Sequence, residues 1–156
     1  MDKRLLDIYS DYLICSFGQT TATGLSTLLA GAISHDKITR FLSETDFTSS
    51  DLWQLVKPTV RQVQNEQAVL VVDDSIEEKP YTDESELICW HFDHTVSRNV
   101  KGVNFLTCLY RTDAIALPVA YQLIRKTQWQ TDPKTQKAKR ICPQTKNEYF
   151  REMVAL

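Results

Sequence analysis

Two different periods run along this chain of 156 residues, and the change falls near Gln67. Upstream, apolar side chains recur every three to four positions, the repeat that gathers them on one face of an α-helix. Leu5, Leu6, Ile8, Tyr9, Tyr12 and Leu13 form one such set. Leu25, Leu28 and Leu29 predict a second helix that stops at Gly31, and Ser34 is an N-cap for a third that buries Ile38, Phe41 and Leu42. A fourth begins near Ser50 with Leu52, Leu55 and Val56; Pro58 either kinks it or opens a further helix carrying Val60 and Val63. Downstream, residues 68–72 are a short β-branched run ending in Asp73 and Asp74, which predicts a strand buried on both faces. Residues 103–110 and 115–124 read as two more strands, with Arg111, Thr112 and Asp113 as their hairpin connection. Pro118 marks the later one as an edge strand or a bulge, because proline cannot donate to a ladder. A polar, aperiodic stretch then predicts a loop, and Thr145 caps a last helix with Tyr149, Phe150, Met153 and Val154 on its apolar side. The pattern therefore divides the chain into a helical segment, 1–66, and a sheet-bearing α+β (α/β) segment, 67–156.

Composition changes this picture little, and the placement of charge changes it more. A hydrophobic content of 42% with 24% charged residues belongs to a globular chain. The net charge of −2 gives no average preference for nucleic acid. Residues 73–93, however, hold eight acidic side chains and one basic, whereas residues 125–146 hold seven basic and one acidic. An acidic cluster suits cations and a basic stretch suits phosphates. The cysteines Cys15, Cys89, Cys108 and Cys142 form no paired spacing, so reduced thiols are expected. Asp2, Asp7 and Asp11 interrupt the opening residues, which lack the apolar centre of a signal peptide, and no apolar run is long enough to span a bilayer. A cytoplasmic protein is the expectation.

Candidate chemistry centres on the strand that ends in two carboxylates. Burying an ionised carboxylate costs several kcal/mol unless it is paired or bound to a metal, so Asp73 and Asp74 invite a cation. Neighbours on a strand point to opposite faces, so only one of them faces such a site; alternatively Asp-Asp-Ser simply opens a turn. Cys89, His91 and His94 are zinc-ligand types, but a strand would spread them over two faces and the usual zinc spacing is missing. The helix-turn-helix pattern over residues 20–43 places His35, Lys37, Thr39 and Arg40 where they would face DNA, or else on the solvated face of a small bundle. Arg125, Lys126, Lys134, Lys137, Lys139 and Arg140 surround Trp129, a mixture that neutralises phosphates and stacks on an exposed base, or that forms a solvated loop.

The blocks VVDDSIEEKP, WHFDHTVSRNVKGVNFLTCLY and ALPVAYQLI, in that order, resemble the opening of the catalytic domain of DDE transposases of the insertion-sequence-four group. The resemblance covers residues 69–156 and, more loosely, the helices before them. It implies an RNase H-like domain represented by its first three strands and the start of its first helix, with the first acidic residue of the triad at Asp74 and Asp73 as second choice. It also implies Mg²⁺ or Mn²⁺ in the complete enzyme, DNA as substrate (insertion-sequence ends and target), and, for His94, Arg98, Asn99 and Lys101, either DNA contacts or a role holding the loop around the acidic site; otherwise these four read as surface loop residues. The second aspartate and the glutamate of that triad match nothing here, so the expectation is a truncated transposase, inactive alone and prone to self-association or assembly with a full-length copy. Two other readings stand beside it: a DNA-binding regulator that inhibits transposition, and an unrelated metal-dependent hydrolase in which Asp73, Asp74, Glu77 and Glu78 gather a cation.

Overall fold

A computed structural model describes residues 2–44 and 46–155. Its contacts group into two units, residues 1–47 and 48–156, each with its own core. The first unit contains helices α1 (Lys3–Cys15), α2 (Ala22–Leu28) and α3 (His35–Ser43). Each starts at a side-chain cap: Asp2 accepts from the Leu5 N–H, Thr21 from that of Gly24, and Ser34 from that of Lys37. These caps satisfy backbone donors that a helix start would leave unpaired. After α2 the chain turns through Ala30 and Gly31, both with positive φ (50° and 77°), and glycine takes that conformation without steric cost. Leu5, Leu25, Ile38 and Phe41 make the core. Leu13, Leu28 and Leu42, expected on the apolar faces, are exposed instead: each lies within the last turn of its helix, beyond the stripe that Leu5, Leu25, Ile38 and Phe41 bury.

The second unit begins with α4 (Ser49–Val63), followed by β1 (Val69–Glu78), β2 (Ile88–Asp93), β3 (Arg98–Arg111), β4 (Ala116–Leu123), β5 (Gln128–Thr131), β6 (Ala138–Ile141) and α5 (Lys146–Val154). Thr48 and Asp51 form a capping box at the start of α4, and the helix runs unbroken through Pro58. Thus α4, read from the sequence as the end of the 1–66 helical segment, belongs to the sheet-bearing unit. It packs against β4, where Ser49 Oγ accepts the Tyr121 N–H at 3.0 Å.

The sheet is antiparallel and organised by β3, with β1 along one edge and β2 and then β4 along the other. Together with the helices it gives the α+β class. Even-numbered positions of β3, from Val100 to Cys108, are buried, and odd-numbered positions are half-buried. Leu106 and Cys108 on that even face meet Val60 of α4, Val119 and Ala120 of β4, and Tyr149 and Met153 of α5. Removing a side chain such as Leu106 from this core would cost about 2–5 kcal/mol. The hairpin connection at Thr112 is as expected, with its N–H bonded to the Ile115 carbonyl. So is the effect of Pro118: the register slips between Cys108 and Leu109, leaving Val119 as the extra residue of a bulge on an edge strand.

Two expectations are corrected. The first strand is not buried on both faces: Val69, Leu70 and Val71 are exposed. Among the described residues β1 pairs only with β3, so one edge and one face lack a covering neighbour. The stretch expected as a loop contains the β5–β6 hairpin, in which Gln128 to Thr131 pair with Ile141 to Ala138. Asp132 sets its turn, accepting from the Lys134 and Thr135 N–H groups.

Candidate functional site

The register of β1 against β3 separates the two adjacent carboxylates. Residues directly opposite in an antiparallel pair share a face. Asp74 lies opposite Leu106 and therefore on the helix-covered face, whereas Asp73 lies opposite Thr107 on the other. Asp73 turns back on the strand, its Oδ1 accepting the Asp74 N–H at 2.8 Å.

Asp74 is held from two sides. From β3, the Asn104 amide donates to Asp74 Oδ2 at 3.2 Å. From α5, the Lys146 ammonium forms an ion pair with the same oxygen. Lys146 reaches that position because Thr145 and Glu148 close a capping box that starts α5 at Lys146. Burial pushes the Asp74 carboxyl up, but the Lys146 and Asn104 hydrogen bonds, the Lys146 charge and the His94 charge more than offset it, and the net direction is downward. Asn104 is 1% exposed, and its Oδ1 has no partner. An unsatisfied buried oxygen is uncommon and costly.

A cleft of 420 Å³ opens beside this carboxylate, lined by residues 73–76 of β1 and residues 92–96 around the β2–β3 turn. It brings His94 next to Asp73, Asp74 and Asp93; the His94 ring stands edge-on to Phe92 with centroids 4.9 Å apart. Cys89 and His91 face the covered side of β2, their Sγ and Nε2 atoms 3.3 Å apart. Burial, reinforced by the charges of Lys126 and Lys146, pulls His91 down to about 4, so it is neutral near pH 7.

The other sequence-selected residues do not converge on Asp74. Lys37 and Arg40 lie on α3 in the first unit, Lys37 paired with Asp2 at 3.6 Å. Arg98 pairs with Glu78 at 2.8 Å, and Glu77 pairs with Lys79 at 3.0 Å, so the acidic run of β1 does not gather around one point. Lys101 is opposite Trp90, on the face away from Asp74. Lys126, Lys139 and Arg140 surround a separate cavity with Trp129, while Arg125 and Lys137 are exposed. Sequence reasoning missed Asn104 and Lys146. A lone amide on the same parity as Leu106 and Cys108 was the available signal for Asn104; Lys146 is 72 residues from Asp74 and carried none.

Mg²⁺ and Mn²⁺ prefer hard oxygen ligands in near-octahedral array. Asp74 and Asn104 supply such atoms in kind but not in number. Among the described residues no three His, Cys, Asp or Glu side chains come together to hold an ion. The residues present do not make a two-ion centre by themselves.

No helix among the described residues is long and apolar enough to cross a membrane. No match was found among curated proteins or among solved structures. The model of the family described as DDE superfamily endonuclease matches residues 1–155, nearly the whole length. Asp73 and Asp74 lie in the middle of β1, which continues in ladder pairing to Glu78 rather than turning after them, and by the match over nearly its whole length the chain belongs to the DDE superfamily endonucleases.

Proposed function

We propose that this chain is part of an insertion-sequence transposase of the insertion-sequence-four group, acting in metal-dependent phosphoryl transfer on DNA, with Asp74 as the first carboxylate of the triad. One observation carries this reading: of the two adjacent aspartates, Asp74 is the one turned to the face that α4 and α5 cover, where it meets Asn104 and Lys146. A position that retains an ammonium favours a cation electrostatically. With further acidic ligands, Asp74 would hold a divalent ion, which would supply charge neutralisation at a scissile phosphate. The chain's own contribution is to hold Asp74 ionised and oriented, through Asn104 and Lys146. The second aspartate and the glutamate come from polypeptide outside the described residues, so the described residues alone bind DNA without cutting it. Contacts to DNA come from His94 beside the cleft, from Arg98, Lys101, Arg125, Lys126, Lys137, Lys139 and Arg140 in the second unit, and from Lys37 and Arg40 in the first.

The absence of a three-carboxylate cluster among the described residues equally supports a second reading, a regulator that occupies insertion-sequence ends without cleavage. The test is excision from a plasmid carrying the complete coding locus and its flanking ends, read by amplification across the resealed donor. Asp74→Asn is expected to lower excision by about 100-fold or more, as removal of a transition-state electrostatic contact does, while Asp73→Asn stays within tenfold of the parent. Equal activity of Asp74→Asn and parent sinks the assignment, and excision unaffected by loss of the whole chain favours the regulator.

A further inference from the structure

A second cavity lies on the face of β2 away from Asp74, and its aromatic side chains are given no role in the reading above. It encloses 720 Å³ between the exposed side of β2 and the β5–β6 hairpin, a size within the about 300–1,000 Å³ typical of small-ligand sites. Three aromatic side chains line it and remain largely uncovered: Trp90 at 54%, Phe92 at 51% and Trp129 at 60% exposure. Two of them alternate along β2 and share its outer face, opposite Lys101 and Asn99. The third stands directly across the hairpin ladder from Arg140, whose guanidinium lies 4.4 Å over the Trp129 ring.

Three cations edge the same cavity, Lys126, Lys139 and Arg140, against two carboxylates: Glu84 in the lining and Asp132, which pairs with Lys139 at 3.0 Å. Lys126 is fixed there by its backbone N–H, bonded to the Glu86 carbonyl at 2.8 Å, and by its ammonium on the Trp90 carbonyl at 2.6 Å. Arg140 Nε is buried, 3.6 Å from Glu84 and without a hydrogen-bond partner. Arg140 thus covers one face of Trp129, while the rest of that ring and the rings of Trp90 and Phe92 remain about half exposed.

We propose that this cavity binds an unstacked nucleobase of a single DNA strand, with Trp90, Phe92 and Trp129 as stacking surfaces and Lys126, Lys139 and Arg140 holding the adjoining phosphates. The inference rests on the DNA reading above and adds the state of the DNA that the chain recognises. A double helix presents its bases stacked and edge-on, so flat aromatic faces gain nothing from it; a splayed strand offers both ring faces and phosphates. The charge balance disfavours a cationic ligand, and three uncovered aromatic rings exceed what phosphate neutralisation alone requires.

The test measures binding of the full chain to a fluorescently labelled twelve-residue oligothymidylate by anisotropy at low salt, beside the same strand made abasic throughout and a duplex of equal length. The base-bearing strand is expected to bind about 5- to 150-fold more tightly than the abasic one, the range that one base–aromatic stack gives, and more tightly than the duplex. Trp129→Ala and Trp90→Ala are expected to remove that advantage while leaving abasic-strand binding and the melting temperature unchanged, and Trp129→Phe to keep most of it. Equal binding of base-bearing and abasic strands by the parent overturns the base site but leaves DNA binding intact. Loss of both in parallel on Trp129→Ala, or displacement of the strand by polyglutamate as readily as by oligothymidylate, also overturns it. Failure of every strand to bind would remove the DNA reading itself.

Discussion

Exchanging Lys146 for methionine removes the ammonium that faces Asp74, and two opposing effects then act on stability. The ion pair is partly exposed, with side chains 48% and 37% accessible, so its worth is that of a surface pair, about 0.2–1 kcal/mol, rather than of a buried one. Lys146 is also the first residue of α5, where a positive charge opposes the helix dipole by about 0.3–1 kcal/mol. A single Lys146→Met variant should therefore melt close to the parent, and a naive reading would conclude that no interaction exists. A double-mutant cycle with Asp74→Asn isolates the pair, because the dipole effect cancels between the two arms. The expected coupling is about 0.5–1 kcal/mol at low salt, equivalent to roughly 2–4 °C for a unit of this size. It should shrink in 1 M salt, where the screening length falls to about 3 Å. The pH dependence follows from the direction of the Asp74 shift: a carboxyl depressed below its ordinary 3.8 contributes stability that is complete above that value and lost as pH falls through the lower folded one. The coupling should be constant from pH 7 to about 5 and absent once Asp74 is protonated. Urea titration of all four proteins measures it. Zero coupling at pH 7 and low salt, or coupling that survives acid, refutes the placement of Lys146 on Asp74.

Three further outcomes can be checked with the same purified chain. His91, pulled from 6.5 to about 4 by burial, contributes stability that is complete above pH 6.5 and lost as pH falls toward 4. The full span is worth on the order of 3 kcal/mol, so His91→Gln should flatten the fall in melting temperature between pH 7 and 5; an unchanged slope contradicts a neutral buried ring. Thr145→Ala removes the side chain that accepts from Glu148 N–H and should cost about 1 kcal/mol, with hydrogen exchange accelerated in the first turn of α5 before other segments. Gly102→Ala should be more damaging than its size implies, since a Cβ there would stand 2.2 Å from the Glu77 carbonyl oxygen in the facing strand. Backbone must move to admit it, and retention of the parent's melting temperature would show that β1 and β3 do not approach so closely.

The helices were legible because caps and a 3.6-residue repeat coincide at Ser34 and Thr145, and the bulge was legible because Pro118 forbids a regular ladder. The β5–β6 hairpin was not, for a physical reason: all four residues of β5 are exposed, so no alternation of burial is written into Gln128, Trp129, Gln130 and Thr131. The exposure of Val69, Leu70 and Val71 was equally hidden, since composition reports what a strand would bury and not whether a neighbour is present. For the candidate site, the two aspartates could be narrowed to one face each by alternation, but the choice between faces needed the pairing partner. Asn104 decides it, and its pairing with Ile76 places Asp74 one diagonal step away.

These placements converge on why Asp74 stays ionised beneath a helix. Lysine at the start of a helix is locally unfavourable, because the unpaired N–H groups there already carry partial positive charge. In α5 the Lys146 ammonium lies against the Asp74 carboxylate, and the unfavourable local choice is offset at the tertiary level. The same arrangement resists any change that discharges Asp74 and leaves the Lys146 ammonium without its counter-ion. Local sequence preference and tertiary pairing pull in opposite directions at this one residue, and the tertiary pairing prevails.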